Sequence, residues 1–334
     1  MDGFLVSKTM FAACELGVFD ILFLSEIPMS CEEIAKHLCT SVEGLETLLN
    51  ACVGLKLLTA ETGTGKVLYS NTDLSDLYLT KSSPKSLCHL LDFYSHCIYH
   101  CSYFLTDAVR EGKSQHERAF GVSSRNAFDA LYRSDEEMLN FLKLMNTIWN
   151  VCGEDVITAF DLSCFSKVCD LGGCTGAIAK QCIATYPKQQ VIIFDLPKVL
   201  TMAKQHFISA NEKRITLCEG NFFEDSIPEA DLYILARIIH DWSEEKCLKL
   251  LKKVYSVCKS GGGILVIEAI LNDDRCGPRS SQMLSLIMLI QTEGKERTST
   301  EYSHLLENAG FKNIQVKRTG KLYDAILGRK CTDL

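Results

Sequence analysis

Three groups of residues carry most of the chemistry this sequence offers. His240 stands just past the apolar run Leu232-Tyr233-Ile234-Leu235, with Asp241 and Trp242 after it. A histidine has an ordinary pKa of about 6.5, so one placed there can take a proton at neutral pH; the plainer role is to cap the helix that follows. The second group is the turn Asp170-Leu171-Gly172-Gly173-Cys174-Thr175-Gly176, which follows a short apolar run and opens a helix. Its glycines can turn tightly and let backbone come close to a ligand. Asp195 ends the next apolar run, 23 residues after Gly172, where it can accept hydrogen bonds from both hydroxyls of a ribose. The register is not G-x-G-x-x-G, so a pyrophosphate on a helix N-terminus is not the expected ligand. S-adenosylmethionine (SAM) has no phosphate and needs only close backbone approach with ribose and adenine contacts.

The third group is His96, Cys97, His100 and Cys101, two i,i+4 pairs in a predicted helix. Each pair shares a face and could grip a metal. The companion ligand spacings are missing, which favours the packed or pocket-facing side of a helix that also carries Phe93, Tyr94, Tyr99 and Tyr103.

The elements that position these residues follow from periodicity. Ser30 lies three residues before Glu33, a capping-box spacing that opens a helix through Leu38. Thr40 or Ser41 starts a second helix with Leu45, Leu48, Leu49, Cys52 and Val53 on one face. The runs 57–60 and 67–70 flank Thr62-Gly63-Thr64-Gly65 and predict a β-hairpin. Two helices and a hairpin in this order suggest a winged helix. Residues 85–160 read as helical, with a polar break at 111–118. From 167 onward, apolar runs at 168–171, 191–194, 215–217, 232–235 and 264–267 alternate with helices, the pattern of a doubly wound, mostly parallel α/β sheet of Rossmann-like type. The runs 314–318 and 323–327 are too close for a helical crossover and predict an antiparallel hairpin at the sheet edge. The expected division is a dimerisation domain over 1–90, a helical connector contributing to the substrate pocket over 91–160, and a cofactor-binding catalytic domain over 161–334.

Composition excludes several classes. The chain has 334 residues, 47% of them hydrophobic, and a net charge of −7. Residues 1–80 carry four lysines and no arginine against eleven acids, and the second helix of the suggested winged helix offers Glu43 and Glu46 where a DNA reader needs cations. Nucleic acid is therefore not an expected partner, and a dimerisation or packing role is expected instead. No apolar stretch is long enough for a membrane helix, and the first twenty residues lack the basic start of an export signal. The seventeen cysteines include no C-x-x-C pair, so a cytoplasmic protein with reduced, core-filling thiols is expected.

Six motifs then occur in the order found in the plant-type and hydroxyindole O-methyltransferases, and the whole chain resembles that family. They are Asp170-Leu171-Gly172-Gly173, Phe194-Asp195-Leu196-Pro197, Gly220-Asn221-Phe222-Phe223, Ile239-His240-Asp241-Trp242, Gly261-Gly262-Gly263-Ile264-Leu265 and Thr292-Glu293-Gly294-Lys295-Glu296-Arg297-Thr298. The run 11–20 is similar to the family's N-terminal dimerisation domain. The resemblance implies a class I methyltransferase fold and a homodimer through the N-terminal domain. It also implies SAM as methyl donor, no metal, and a small aromatic hydroxyl substrate, N-acetylserotonin or a related hydroxyindole. By the same resemblance, Gly172 lies under the methionine part of the cofactor and Asp195 on the ribose. Gly220, Asn221 and Phe222 lie at the adenine, and Tyr132, Trp149 and Arg237 make further cofactor contacts. As helix aromatics, Tyr132 and Trp149 could equally be core. His240 matches the family's general base, flanked by Glu268 and Glu296, while Asp241, residue 287 and Gln291 match substrate-contacting positions.

Three residues depart from the family pattern. Cys174 replaces a loop glycine, so its β-carbon is expected to crowd the cofactor. Asn221 replaces an aspartate, which keeps an acceptor for the adenine amino group but removes its charge. Ile287 replaces an asparagine, leaving Gln291 as the remaining amide hook for an acetamide tail. These departures support a second reading, a catalytically weak homologue that acts as a dimeric scaffold.

Overall fold

Side-chain caps set where the helices at Cys31 and Val42 begin. In the computed structural model, which describes residues 2–331 apart from 64, 122–127, 129, 130 and 133, the chain divides into two units, 1–100 and 101–334. The first unit opens with α1 (Gly3–Leu16) and α2 (Val18–Ser25), joined at Gly17 in the left-handed conformation. A two-residue strand, β1 (Met29–Ser30), precedes α3 (Cys31–Leu38), where the expected capping box forms: Glu33 N–H donates to Ser30 Oγ, and Ser30 N–H donates to Glu33 Oε2. Ser41 caps α4 (Val42–Gly54), whose Leu45, Leu49 and Cys52 are buried. The hairpin is β2 (Leu58–Gly63) and β3 (Lys66–Asn71), with position 64 of its turn outside the described residues. β1 adds a third antiparallel strand on β3, too short for a periodic signal.

The second unit opens in helices. α5 (Leu105–Glu111) ends at Gly112 in the left-handed conformation, and α6 (His116–Phe120) starts inside the stretch read as a polar break. α7 (Asp135–Ile157) is capped by Ser134 and buries Met138, Leu142, Trp149 and Val156. A seven-stranded sheet follows: β4 (Lys167–Leu171), β5 (Gln190–Asp195), β6 (Ile215–Glu219), β7 (Ala230–Ala236), β8 (Cys258–Glu268), β9 (Lys312–Lys317) and β10 (Asp324–Arg329). Its order is β6-β5-β4-β7-β8-β10-β9, parallel through β8, with β10 antiparallel to both β8 and β9. Between the strands run α8 (Ala177–Thr185), α9 (Pro197–His206), α10 (Glu244–Val257), α11 (Arg279–Gln291) and α12 (Ser299–Ala309).

Two apolar layers cover the sheet. One holds Trp149, Ile178, Leu232, Leu265 and Tyr323, the other Tyr233, Leu250, Val266, Tyr302 and Phe311. The chain leaves β4 for β5 and β6 on one side, then crosses to β7 on the other. The crevice beyond the carboxyl ends of β4 and β7 is therefore where such a sheet binds ligands. All seventeen cysteines are unbridged, and most are buried as small core residues. Among the described residues no helix is long and apolar enough to cross a membrane.

Gly294 fixes the approach of the segment after α11 to the β7 edge. A β-carbon there would overlap the His240 carbonyl oxygen and fall 2.7 Å from both Asp241 C and Trp242 N. Backbone cannot yield as a flexible side chain can. Gly294→Ala is therefore expected to destabilise the protein by about 2–3 kcal/mol in urea unfolding, against under about 0.5 kcal/mol for Gly3→Ala, which meets open space. Equal midpoints for the two variants would refute this packing.

Candidate active site

The turn after β4 is built for close approach. Gly172 has φ +68° and its N–H donates to Phe194 O (2.8 Å). A β-carbon on Gly172 would lie 2.5 Å from Ile238 Cδ1, so the β4 and β7 turns meet at this glycine. Cys174 has φ +51°, a left-handed conformation that costs a non-glycine residue about 1–3 kcal/mol. The departure from glycine thus strains the backbone besides adding a β-carbon. The Cys174 N–H donates to Asp195 Oδ2 (2.8 Å) and the Leu196 N–H to Asp195 Oδ1 (2.7 Å). Burial nevertheless pushes the Asp195 carboxyl up to about 6. Asp170, buried under Gly173, is pushed to about 7 by burial and by Asp195, and its Oδ2 has no hydrogen-bond partner among the described residues. Tyr132 lies in the field of Asp195, Cys174 and Asp241, and burial holds its hydroxyl far above the usual range.

Aromatic rings line the same edge. Phe222 and Phe223 pack edge-on against Trp242, with centroids 6.3 and 4.9 Å away. Phe128 lies 5.8 Å from Trp242 and 5.7 Å from Tyr132. Half-buried carboxylates beside aromatic faces suit a ligand that joins a cation to a flat base; a phosphate would meet repulsion. Asn221 keeps its amide oxygen on the Phe223 N–H (2.9 Å), so the acceptor expected at the adenine already serves a local turn. Gly220 lies against the Phe194 ring.

His240 sits in a single 3-10 turn, Ile239–Asp241, and is 2% exposed. Its Nδ1 is 2.9 Å from Glu296 Oε1 and 3.7 Å from Glu268 Oε2, and its Nε2 is 3.4 Å from Asp241 Oδ1. Glu268, at the end of β8, accepts from the N–H groups of Ile239 (2.9 Å) and His240 (3.3 Å). Arg297 holds the turn from the other side, donating to the carbonyls of Ile239 (2.9 Å) and Trp242 (3.0 Å). Arg237, at φ +59°, lies 3.4 Å from Glu296 and 5.0 Å from the centroid of the Tyr323 ring. The ligand atoms of His240, Glu268 and Glu296 lie within 4.8 Å of one another, a span a metal ion could bridge. The direct Nδ1 contact and the adjacent guanidinium make them a proton-sharing group instead.

Charges in this interior set the protonation states. Burial and Arg237 both lower the His240 pKa, but Glu268, Asp241 and Glu296 outweigh them and raise it to about 9. Glu268 is pushed up to about 7 by burial, with Glu296 adding to it. Burial also acts upward on Glu296, yet His240 and Arg237 hold it below the usual carboxylate range.

Of the residues singled out in the sequence, Arg237, His240, Asp241, Glu268 and Glu296 form one cluster, and Gly172, Asp195 and Tyr132 a second beside it. Trp149 lies deeper, 4% exposed and 5.4 Å from the Tyr323 ring. Gln291 ends α11 with its Nε2 on Cys101 Sγ (3.1 Å), and Ile287, one turn earlier, packs against the core. His96 and His100 are exposed, whereas Cys97 and Cys101 are buried. Arg297, quoted within a motif but given no role, and Tyr323 are the residues whose part in the site sequence reasoning missed.

A doubly wound sheet with a glycine turn, a strand-terminal acid and a buried histidine at its carboxyl edge defines the class I methyltransferase architecture. Residues 102–312 match the family model of the O-methyltransferase domain, and residues 1–81 that of the O-methyltransferase dimerisation domain. The chain belongs to the O-methyltransferase family. It is 58% identical to acetylserotonin O-methyltransferase of Gallus gallus and 51% identical to that of Homo sapiens, each over 98% of this chain and 95% of the relative. It is also similar to the crystal structure of human N-acetylserotonin methyltransferase in complex with SAM, with a TM-score of 0.96 and 51% identity over 99% of this chain and 95% of that one.

The raised His240 pKa has a thermodynamic consequence. Unfolded, the ring titrates at about 6.5; folded, at about 9. The stability it contributes is therefore complete below about pH 6.5 and lost as pH rises through about 9. Glu268, also raised, acts in the same direction. Wild type should lose stability across that window, and His240→Gln should lose less, in urea midpoints taken at several pH values. Parallel declines would contradict the assignment.

Proposed function

We propose that this protein transfers the methyl group of SAM to the hydroxyl of a 5-hydroxyindole, foremost N-acetylserotonin, with His240 as general base. The observation that carries the reading is the His240 ring held by Glu296 at the carboxyl edge of the sheet, two residues after Ile238, which packs on the Gly172 turn. The relatives named above supply the substrate class. When bound, SAM supplies an electrophilic methyl carbon on a sulfonium. The half-buried carboxylates Asp195 and Asp241 fit such a cation, and Gly172 with Tyr132 and Phe222 fits the rest of that ligand.

The chain's own residues manage the proton. A phenolic hydroxyl, with a pKa of about 10, is a weak nucleophile at neutral pH until its proton leaves. Glu296 engages Nδ1, which leaves Nε2 to take that proton. The imidazolium so formed is stabilised by Glu296, Glu268 and Asp241, whose combined field favours the charged ring. The same field keeps much of the ring protonated at neutral pH before substrate arrives, so its basic form grows as pH rises. Asp241, beside Nε2, and Gln291 are the residues we assign to the substrate, and Ile287 replaces polar contact with apolar contact there.

Homodimerisation is assigned to the N-terminal domain, where Phe4, Leu5, Phe23, Leu24 and Ile27 are exposed. Sedimentation should give twice the chain mass, and Leu24→Asp should shift it toward the monomer; a monomeric wild type would end that assignment.

The catalytic reading is tested with radiolabelled methyl transfer to N-acetylserotonin. Turnover should rise from pH 7 toward about 9, and His240→Ala should reduce it by roughly 10²–10⁴-fold. A wild type as slow as that variant would instead support the dimeric scaffold that strained Cys174 favours.

A further inference from the structure

We propose that Lys253, on α10, is a positioning residue for the cofactor: its ammonium group fixes the 221–225 turn, and with it the Phe222 ring offered to the adenine of SAM. The inference rests on the reading of Phe222 as a wall of the SAM site. Lys253 is half-buried, at the margin of the face that α10 turns to the core through Leu250, Leu251 and Val254. From there its Nζ donates to the carbonyl oxygens of Phe222 (2.9 Å) and Asp225. Two carbonyls three residues apart thus meet one cation, much as a lysine closes the last turn of a helix.

The rest of the turn is closed by its own bonds. The Asn221 carbonyl accepts from the N–H groups of Glu224 (3.0 Å) and Asp225 (2.8 Å), and the Asn221 N–H donates to Asp225 Oδ2 (2.8 Å). The peptide between Phe222 and Phe223 is held from both sides, its N–H by Asn221 Oδ1 (2.9 Å) and its carbonyl by Lys253. Fixing that plane fixes the directions in which both rings leave the chain. Phe222 then stands against the cofactor turn: a β-carbon on Gly172 would lie 3.8 Å from its Cε1. Asparagine at 221 gives a neutral bond, whereas a bond from an ammonium is about twice as strong. The lysine is therefore the firmer of the two restraints. A turn released from it would have to be ordered when the cofactor binds, at a cost in affinity.

The test is calorimetry with SAM and with S-adenosylhomocysteine on wild type, Lys253→Met and Lys253→Arg. Methionine keeps an apolar stem but donates nothing, so Lys253→Met should raise Kd for both ligands by about 3- to 10-fold. The factor should be the same for both, because they share the adenosine and differ at the sulfur. Lys253→Arg keeps charge and donors and should stay within about 2-fold of wild type. With N-acetylserotonin, the Lys253→Met loss should appear in KM for SAM, with kcat within about 2-fold. A wild type that binds neither ligand would remove the SAM reading and this proposal with it. If wild type binds and Lys253→Met binds equally well, the role of Lys253 is overturned while the SAM reading stands. A loss confined to SAM places the effect at the sulfonium instead of the adenine and overturns the proposal. A loss that arginine does not restore, accompanied by a fall in kcat, marks a merely structural lysine and also overturns it.

Discussion

The 2.9 Å contact between His240 Nδ1 and Glu296 Oε1 lies where water does not reach, and an ion pair out of water persists only in tightly constrained geometry. Most of the surrounding structure provides that constraint. Glu268 takes the two N–H groups of the His240 turn, Arg297 takes two of its carbonyls, and Gly294 lets the main chain of residues 293–297 lie flat against it. Arg237 adds a cation beside Glu296 and is itself stacked on Tyr323. Four separate segments, after β7, at the end of β8, after α11 and before β10, thus converge on one three-residue turn. A doubly wound sheet makes this convergence possible, because β7 and β8 are adjacent and parallel and end at the same edge.

The parts of this arrangement that were legible in the sequence are those with a local signature. The apolar runs of β4, β5, β7 and β8, the Ser30 capping box and the closing hairpin follow from periodicity and from chain too short for a crossover. The glycine turn and Asp195 were legible because a strand, a turn and a terminal acid fall at a fixed spacing. What stayed hidden is long-range. Arg297 and Tyr323 act on turns whose proximity only the folded sheet creates, and the pairing of Glu296 with a histidine 56 positions away was legible only through the family resemblance. β1 escaped because two residues cannot display an alternation. The start of β8 escaped because residues 258–263 carry no apolar pattern and the pairing with β7 shifts register there.

The three departures from the family pattern act through different physics. At Cys174 the cost is conformational, since a left-handed backbone carries a side chain. At Asn221 charge is lost, and the remaining amide oxygen is shared with the Phe223 N–H. At Ile287 an apolar side chain packs against the core one turn before Gln291. Among the described residues no hydrogen bond or ion pair links any of the three to the His240 turn.

The interior thiols also make the protein its own gauge of breathing. Cys52 lies in α4, Cys169 in β4, Cys182 in α8 and Cys247 in α10, all with no exposed surface and all with thiols made less acidic by burial. An alkylating reagent reaches such a sulfur only during a transient opening of the layer that holds it. Because these four are spread over helix and sheet in both units, their separate rates of modification would rank the layers by how readily each one opens.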